Sequence, residues 1–104
     1  MNQMNSLVIE GTVKNFKSNE KCAEFQISSK RFYRNAYGEK AEETSVFDCE
    51  AGGILQDLLV ANNSEQTVRI VGRLKQYRWK DETGKNHSKV VIVCEHIEFI
   101  PTIK

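Results

Sequence analysis

Two places in this 104-residue sequence set an aromatic ring among cations. Phe32 lies between Lys30 and Arg34; Trp79, the only tryptophan, lies between Arg78 and Lys80, with Arg73, Lys75 and Tyr77 just before it. A ring offers its π-face to any flat partner, and a neighbouring ammonium or guanidinium attracts an anion. Together they suit unpaired nucleotides, since each base stacked on an aromatic contributes roughly 1–3 kcal/mol while cations track the phosphates. A duplex hides its base faces, so this chemistry selects single strands. Tyr33 and Tyr37 are weaker candidates for the same role. The competing explanation is that Trp79 and Tyr77 cap one end of the fold or pack against another subunit.

The distribution of charge agrees with the first explanation. The net charge is only +1, but it is unevenly spread. Residues 14–34 carry six cations against Glu20 and Glu24, and residues 73–89 carry six against Asp81 and Glu82, each segment at +4. Between them, residues 35–66 carry seven acids and only Lys40. Two basic segments on a nearly neutral chain can form a local polyanion-binding stripe, although a mixed surface also follows from solubility alone.

Other chemistry finds little support. His87 falls in a charged turn and His96 near the last strand, with no metalloprotease, nucleophile-elbow or phosphate-loop pattern around either. Both are expected to be solvated or hydrogen-bonded, and catalysis, a metal and a cofactor are not expected. Glu39, Glu42 and Glu43 suit a solvated hairpin face. Cys22, Cys49 and Cys94 are odd in number and lack any CxxC spacing, which speaks against disulfides or zinc and for buried small hydrophobes in a reducing compartment. The longest apolar run is Val90–Cys94, far short of the roughly 20 residues that span a bilayer, and no signal peptide is apparent. The expected location is cytoplasmic.

The elements that must position the aromatics are strands. With 39% hydrophobic and 28% charged residues and a single proline, the chain has the composition of one globular domain over residues 1–104. Its dominant period is two. Leu7, Ile9 and Val13 alternate with Glu10, Thr12 and Lys14; Ala23, Phe25 and Ile27 alternate with Glu24, Gln26 and Ser28. Phe47, Cys49 and Ala51 oppose Val46 and Asp48, and Val68, Ile70, Gly72 and Leu74 share a face of a fourth strand. A fifth runs Lys89–Ile100. Turns are expected at Asn35–Gly38 and Asp81–Asn86. Gly53–Asn62 is the one helix, with Ile54, Leu55, Leu58 and Leu59 as its apolar stripe and Asn62–Asn63 as its stop.

Five strands with one short helix between the third and fourth is the element order of an all-β, five-stranded OB-fold, a Greek-key barrel. An SH3-like barrel competes but has no natural place for the helix. Gly11 and Gly72, inside strands, are expected where the barrel bends. Because alternate residues of a strand point to opposite faces, core positions Val68, Ile70 and Leu74 leave Arg69, Arg73, Lys75, Tyr77 and Trp79 pointing outward. Likewise Ala23, Phe25 and Ile27 leave Lys30, Phe32 and Arg34 outward.

With these residues in place, the chain resembles the bacterial single-stranded DNA-binding protein family over roughly Asn5 to Ile100. The resemblance is carried by Asn5-Ser-Leu-Val-Ile-Glu-Gly11, by Arg31-Phe-Tyr-Arg-Asn-Ala-Tyr-Gly-Glu39, by Phe47-Asp-Cys49, and above all by Val71-Gly-Arg-Leu-Lys-Gln-Tyr-Arg-Trp-Lys-Asp-Glu-Thr-Gly-Lys85. It implies an OB barrel, assembly as a homotetramer (a dimer being the smaller alternative), and single-stranded DNA as the partner. It also implies Phe32 and Trp79 as stacking residues with Arg78 and Lys80 as phosphate contacts. Two departures stand out. Family members often carry aromatics at the sites matching Val46 and Gly52, where neither residue can stack. The family also usually continues into a polar linker with an acidic, hydrophobic-ended tip that recruits replication and repair enzymes. Here the sequence ends at Ile100-Pro-Thr-Ile-Lys104, so those enzymes are expected as partners only of a longer form. A tailless primosomal-type protein is the alternative within the same barrel type. A protein-interaction module would use Trp79 and Tyr77 as anchors. An oligosaccharide binder would not need a cation beside each ring.

The expected function is non-catalytic binding of single-stranded DNA with little sequence preference, in replication, recombination and repair. The residues expected to carry it are Phe32, Arg34, Arg73, Lys75, Tyr77, Arg78, Trp79 and Lys80.

Overall fold

The computed structural model describes residues 1–62 and 66–101. The strands are β1 (Leu7–Ser18), β2 (Ala23–Arg34), β3 (Lys40–Ala51), β4 (Thr67–Lys80) and β5 (Asn86–Phe99), with α1 (Ile54–Ala61) between β3 and β4. They close into a barrel in the order β1-β2-β3-β5-β4, with β4 returning to pair β1. Every pairing is antiparallel except the short parallel seam of β3 with β5 at Cys49↔Ile92 and Glu50↔Val93. This is the five-stranded OB barrel, and closure removes the free sheet edges that would otherwise invite aggregation. Among the described residues no helix is long and apolar enough to cross a membrane.

The period-two pattern places the core. Ile27, Val68 and Ile70 are fully buried, each contributing roughly 1.5–3 kcal/mol by removal from water. Around them pack Val13, Ala23, Phe25, Cys49, Ala51, Leu59, Ile92, Cys94 and Ile97. Cys49 and Cys94 thus occupy the expected interior, and the Cys94 thiol is pushed well up by its hydrogen bond with Cys49 and by burial; Cys22 is only partly covered.

Four expectations need correction. Leu74 has the inward parity of Val68 and Ile70 but is 47% exposed. The β1–β4 ladder ends at Leu7↔Gly72, so Leu74 has no strand neighbour on that side, although Ile92, opposite it on β5, is buried. Phe47, on the inward side of β3, lies past the β3–β5 seam at Cys49↔Ile92 and is exposed, although its β2 partner Ile27 is buried. β5 begins at Asn86, not Lys89, because the turn is tight and the ladder with β4 runs out to Lys80↔Asn86. The helix buries Leu59 and packs Leu55 against the core but leaves Ile54 and Leu58 exposed. It is tied down instead by Gln56, whose Nε2 donates to Ser18 Oγ at 2.9 Å and the Asn19 carbonyl at 2.6 Å. The Asn62 backbone N–H donates to Leu58 O and closes the helix; Asn63 and the C-terminal residues 102–104 lie outside the described residues.

Gly11 and Gly72 do more than bend the strands. A Cβ on Gly11 would collide with the Ser28 carbonyl of β2, and one on Gly72 with the Val93 carbonyl of β5. Gly72 also sits at a bulge, where the β4–β5 register steps from Val71↔His96 to Gly72↔Cys94.

The two hairpin tips are built alike. In the first, Asn35 N–H donates to Glu39 O at 2.9 Å and Gly38 N–H to Asn35 O at 3.0 Å. In the second, Asp81 N–H donates to Lys85 O and Gly84 N–H to Asp81 O, both at 3.0 Å. Asn35 Oδ1 accepts from the Tyr37 and Glu39 N–H groups, as Asp81 Oδ1 does from Thr83 and Lys85. Gly38 and Gly84 supply the positive φ, 76° and 83°, that such a turn demands.

Candidate nucleic-acid interface

Strand register decides which side chains share a face, because directly paired residues point the same way. On the β2–β3 arm the outward pairs are Lys30↔Thr44, Phe32↔Glu42 and Arg34↔Lys40. On the β4–β5 arm they are Arg73↔Val93, Lys75↔Val91, Tyr77↔Lys89 and Trp79↔His87. Besides the parallel β3–β5 seam, a side-chain hydrogen bond joins the two arms: Tyr77 Oη donates to Glu50 Oε1 at 2.6 Å, spanning β5 from β4 to β3. Phe32 and Trp79 therefore stand on one continuous outer face, at 74% and 46% exposure. Val46 is on this face as well and exposed, but its side chain has no π-face.

The cations are less uniform than their spacing suggests. Lys75 Nζ lies 4.7 Å from the Tyr77 ring centroid and Lys89 Nζ 6.0 Å, so both ammoniums gather around that ring. The hydrogen bond to Glu50 holds the Tyr77 phenol protonated, with its pKa pushed up to about 12. Arg73 pairs loosely with Glu95 at 3.9 Å, and Arg34 Nη1 donates to the Gly38 carbonyl at 2.8 Å. Arg78 and Lys80, sequence neighbours of Trp79, fall on the opposite side of the ladder by alternation; Arg78 Nη2 there donates to Gln76 Oε1 at 2.9 Å. Both reach the rim of a groove of about 540 Å³ at the hairpin end, lined by Arg78, Trp79, Lys80, Asn86, His87 and Ser88. Tyr33 faces away from Phe32, under Arg31 at 5.2 Å, and Tyr37 is fully open at the first tip.

A family model described as the single-strand binding protein family matches residues 4–100. The chain belongs to that family. A single-stranded DNA-binding protein of Aquifex aeolicus (strain VF5) is 37% identical over 78 residues, which make up 74% of this chain and 52% of the relative. The match takes in about three quarters of this chain, which spans about half the length of that relative. Among single-strand binding protein structures, one from Plasmodium falciparum in complex with single-stranded DNA superposes with a TM-score of 0.75 at 16% identity, covering 97% of this chain and 98% of that one. The small single-stranded DNA-binding protein of Streptomyces coelicolor superposes with a TM-score of 0.69 at 19% identity, covering 96% of each chain. Likeness at such identities establishes the shared barrel.

For a member of the single-strand binding protein family, three features of this face were not apparent from residue types. His87, expected to be merely solvated or hydrogen-bonded, stacks on Trp79 with centroids 5.5 Å apart and planes 18° from parallel. Its Nε2 also lies 2.7 Å from Asp81 Oδ2. Bonds from the Thr83 hydroxyl, from His87 and from the Lys85 backbone hold Asp81 ionised, with its pKa lowered to about 2. Pairing outward from the Asp81–Lys85 turn would have set His87 opposite Trp79. Finally, Glu24, Asp48 and Glu50 put acid in the middle of the face, Glu24 directly opposite Glu50. The basic character resides on the arms. No group of three or more His, Cys, Asp or Glu side chains among the described residues is placed to hold a metal.

Proposed function

We propose that this protein binds single-stranded DNA without catalysis and with little sequence preference, in replication, recombination and repair. The observation that carries the reading is the exposure of Phe32 and Trp79 on one outer face of the barrel, each on an arm bearing cations. Bases stack on the two rings, and Arg34, Arg73, Lys75, Arg78 and Lys80 contact phosphates. Tyr77 contributes chiefly by gathering Lys75 and Lys89 around its ring. The acidic centre favours a strand whose phosphates run along the arms and whose bases turn inward. The similarity to the Aquifex single-stranded DNA-binding protein and to the Plasmodium protein in complex with single-stranded DNA supports the same ligand.

The proposal includes a homo-oligomer, a homotetramer or a dimer. Phe47, Leu74 and Val90 lie exposed on the inward side of the ladders, and a subunit interface would cover them.

Titration with oligo-dT at several salt concentrations tests the phosphate contribution. Each neutralised phosphate lowers the slope of log K against log salt by about 0.7, so the five cations give a limit of about −3.5. Since Arg34 and Arg73 already have partners in the protein, the expected slope is about −2 to −3. A slope near zero, or no binding at low salt, would remove the reading.

A further inference from the structure

We infer that His87 is a positioning residue for the binding of single strands: it covers one face of Trp79 and, held by Asp81, presents the other face to a base. This rests on the proposed function above.

The two hairpin tips differ in one respect. Their turns have matching hydrogen bonds, and at the first tip an asparagine suffices, since only Asn35 Oδ1 is needed to receive the Tyr37 and Glu39 N–H groups. At the second tip Asp81 Oδ1 alone does the same work. The second carboxylate oxygen is surplus to the turn, and it is the one that meets His87 Nε2 at 2.7 Å. An ionised carboxylate only accepts, so Nε2–H donates, and this bond together with the stack on the indole holds the imidazole plane. The fixed plane lies 18° from that of the indole at 5.5 Å between centroids, within the range of offset stacking. The corresponding cross-strand pair of the first hairpin is Tyr33↔Ala41, which has no second ring. The carboxylate, the imidazole and the indole therefore form a chain that only the second tip possesses, and it ends in the open groove between Arg78 and Lys80.

Such a chain matters for affinity because an aromatic side chain free to change rotamer must be ordered when a base arrives. That ordering costs about twofold to tenfold in affinity for each side chain immobilised. His87 settles it before binding. It also makes Trp79 a one-sided platform, taking one base and not inserting between two.

The test uses the full chain and the single tryptophan as reporter. Acrylamide quenching of Trp79 without DNA, and affinity for a labelled oligo-dT by anisotropy, are measured for wild type, His87→Ala, His87→Phe and Asp81→Asn, with thermal melting as the folding control. His87→Ala should raise the quenching constant and lower the affinity about twofold to tenfold. His87→Phe, which keeps a ring against the indole, should return both toward wild type. Asp81→Asn should keep the turn, as Asn35 does, yet loosen the imidazole and raise quenching. If His87→Ala melts early, the Phe and Asn variants carry the test. Wild-type binding with His87→Ala unchanged in both measurements, or His87→Phe behaving like His87→Ala, overturns the inference alone. A wild type that binds no oligonucleotide overturns the proposed function, and this inference with it, whatever the quenching shows.

Discussion

Trp79→Ala is expected to weaken binding of oligo-dT by about 1–3 kcal/mol, a factor of roughly 5 to 150, while the protein melts close to wild type. The expectation of a large effect follows from the ring's place on the outer face and its groove beside Arg78 and Lys80. The expectation of a small effect on folding follows from its surroundings. Trp79 is 46% exposed, lies one residue from the end of β4 and is not part of the buried cluster, its ring contact being His87. Anisotropy of a labelled oligonucleotide gives the affinity, since the variant has lost its own fluorophore, and circular dichroism gives the melting temperature. A collapse of the melting temperature would make Trp79 a packing residue. Unchanged affinity would leave Phe32 as the sole stacking site.

The largest effect on stability is expected at Gly72, from the smallest possible change. Gly72→Ala adds one methyl group, but the ideal position for it collides with the Val93 carbonyl and lies 3.3 Å from Ile92 Cγ2. The obstacle is backbone of the neighbouring strand, so no rotamer change relieves it; the bulge must open or β4 must move away from β5. Overpacking a well-fitted interior costs about 1–3 kcal/mol where side chains can yield, and here the expected loss is at or above about 3 kcal/mol. For a domain whose total stability is of order 5–15 kcal/mol, that is a large fraction. Urea unfolding with an unchanged m-value measures it. Gly38→Ala serves as the control, since nothing lies within 4 Å of its Cβ position and only the positive φ opposes it, at about 1–2 kcal/mol. A Gly72→Ala variant as stable as Gly38→Ala would show that β4 and β5 separate easily at the bulge.

The barrel was legible because its information is local. Ala23, Phe25 and Ile27 announce their face by alternation, and Asn35–Gly38 and Asp81–Gly84 announce the turns by residue type. The glycines at 11 and 72 signal themselves as interruptions of strands. What alternation cannot convey is where the barrel ends along a strand. Leu74 and Phe47 keep the inward parity after the ladder on one side of them has stopped, at Leu7↔Gly72 and at Cys49↔Ile92. Contacts across non-neighbouring segments were equally hidden. The Tyr77–Glu50 hydrogen bond depends on the parallel β3–β5 seam, a pairing between strands separated by a helix and β4. The acidic centre formed by Glu24, Asp48 and Glu50 requires the β2–β3 register.

The candidate site was legible in part for the same reason. Phe32 and Trp79 stand out by type, and their outward parity follows from the core. Arg78 and Lys80 illustrate the limit: adjacency in sequence suggests flanking, whereas in a strand adjacent residues point to opposite sides. Their access to the Trp79 groove comes from their position near the end of the hairpin. His87 was missed because its meaning lies in its partner, and the partner is set by a turn register that residue types alone leave open.

The most direct measurement of the central claim is the fluorescence of Trp79 during titration with oligo-dT and, in parallel, with a duplex of the same length. A base stacked on the indole quenches it, and a duplex has no free base face to offer. The account predicts saturable quenching by the single strand and none by the duplex under the same salt. Binding of the single strand detected by anisotropy without any change at Trp79, or equal quenching by the duplex, would contradict it.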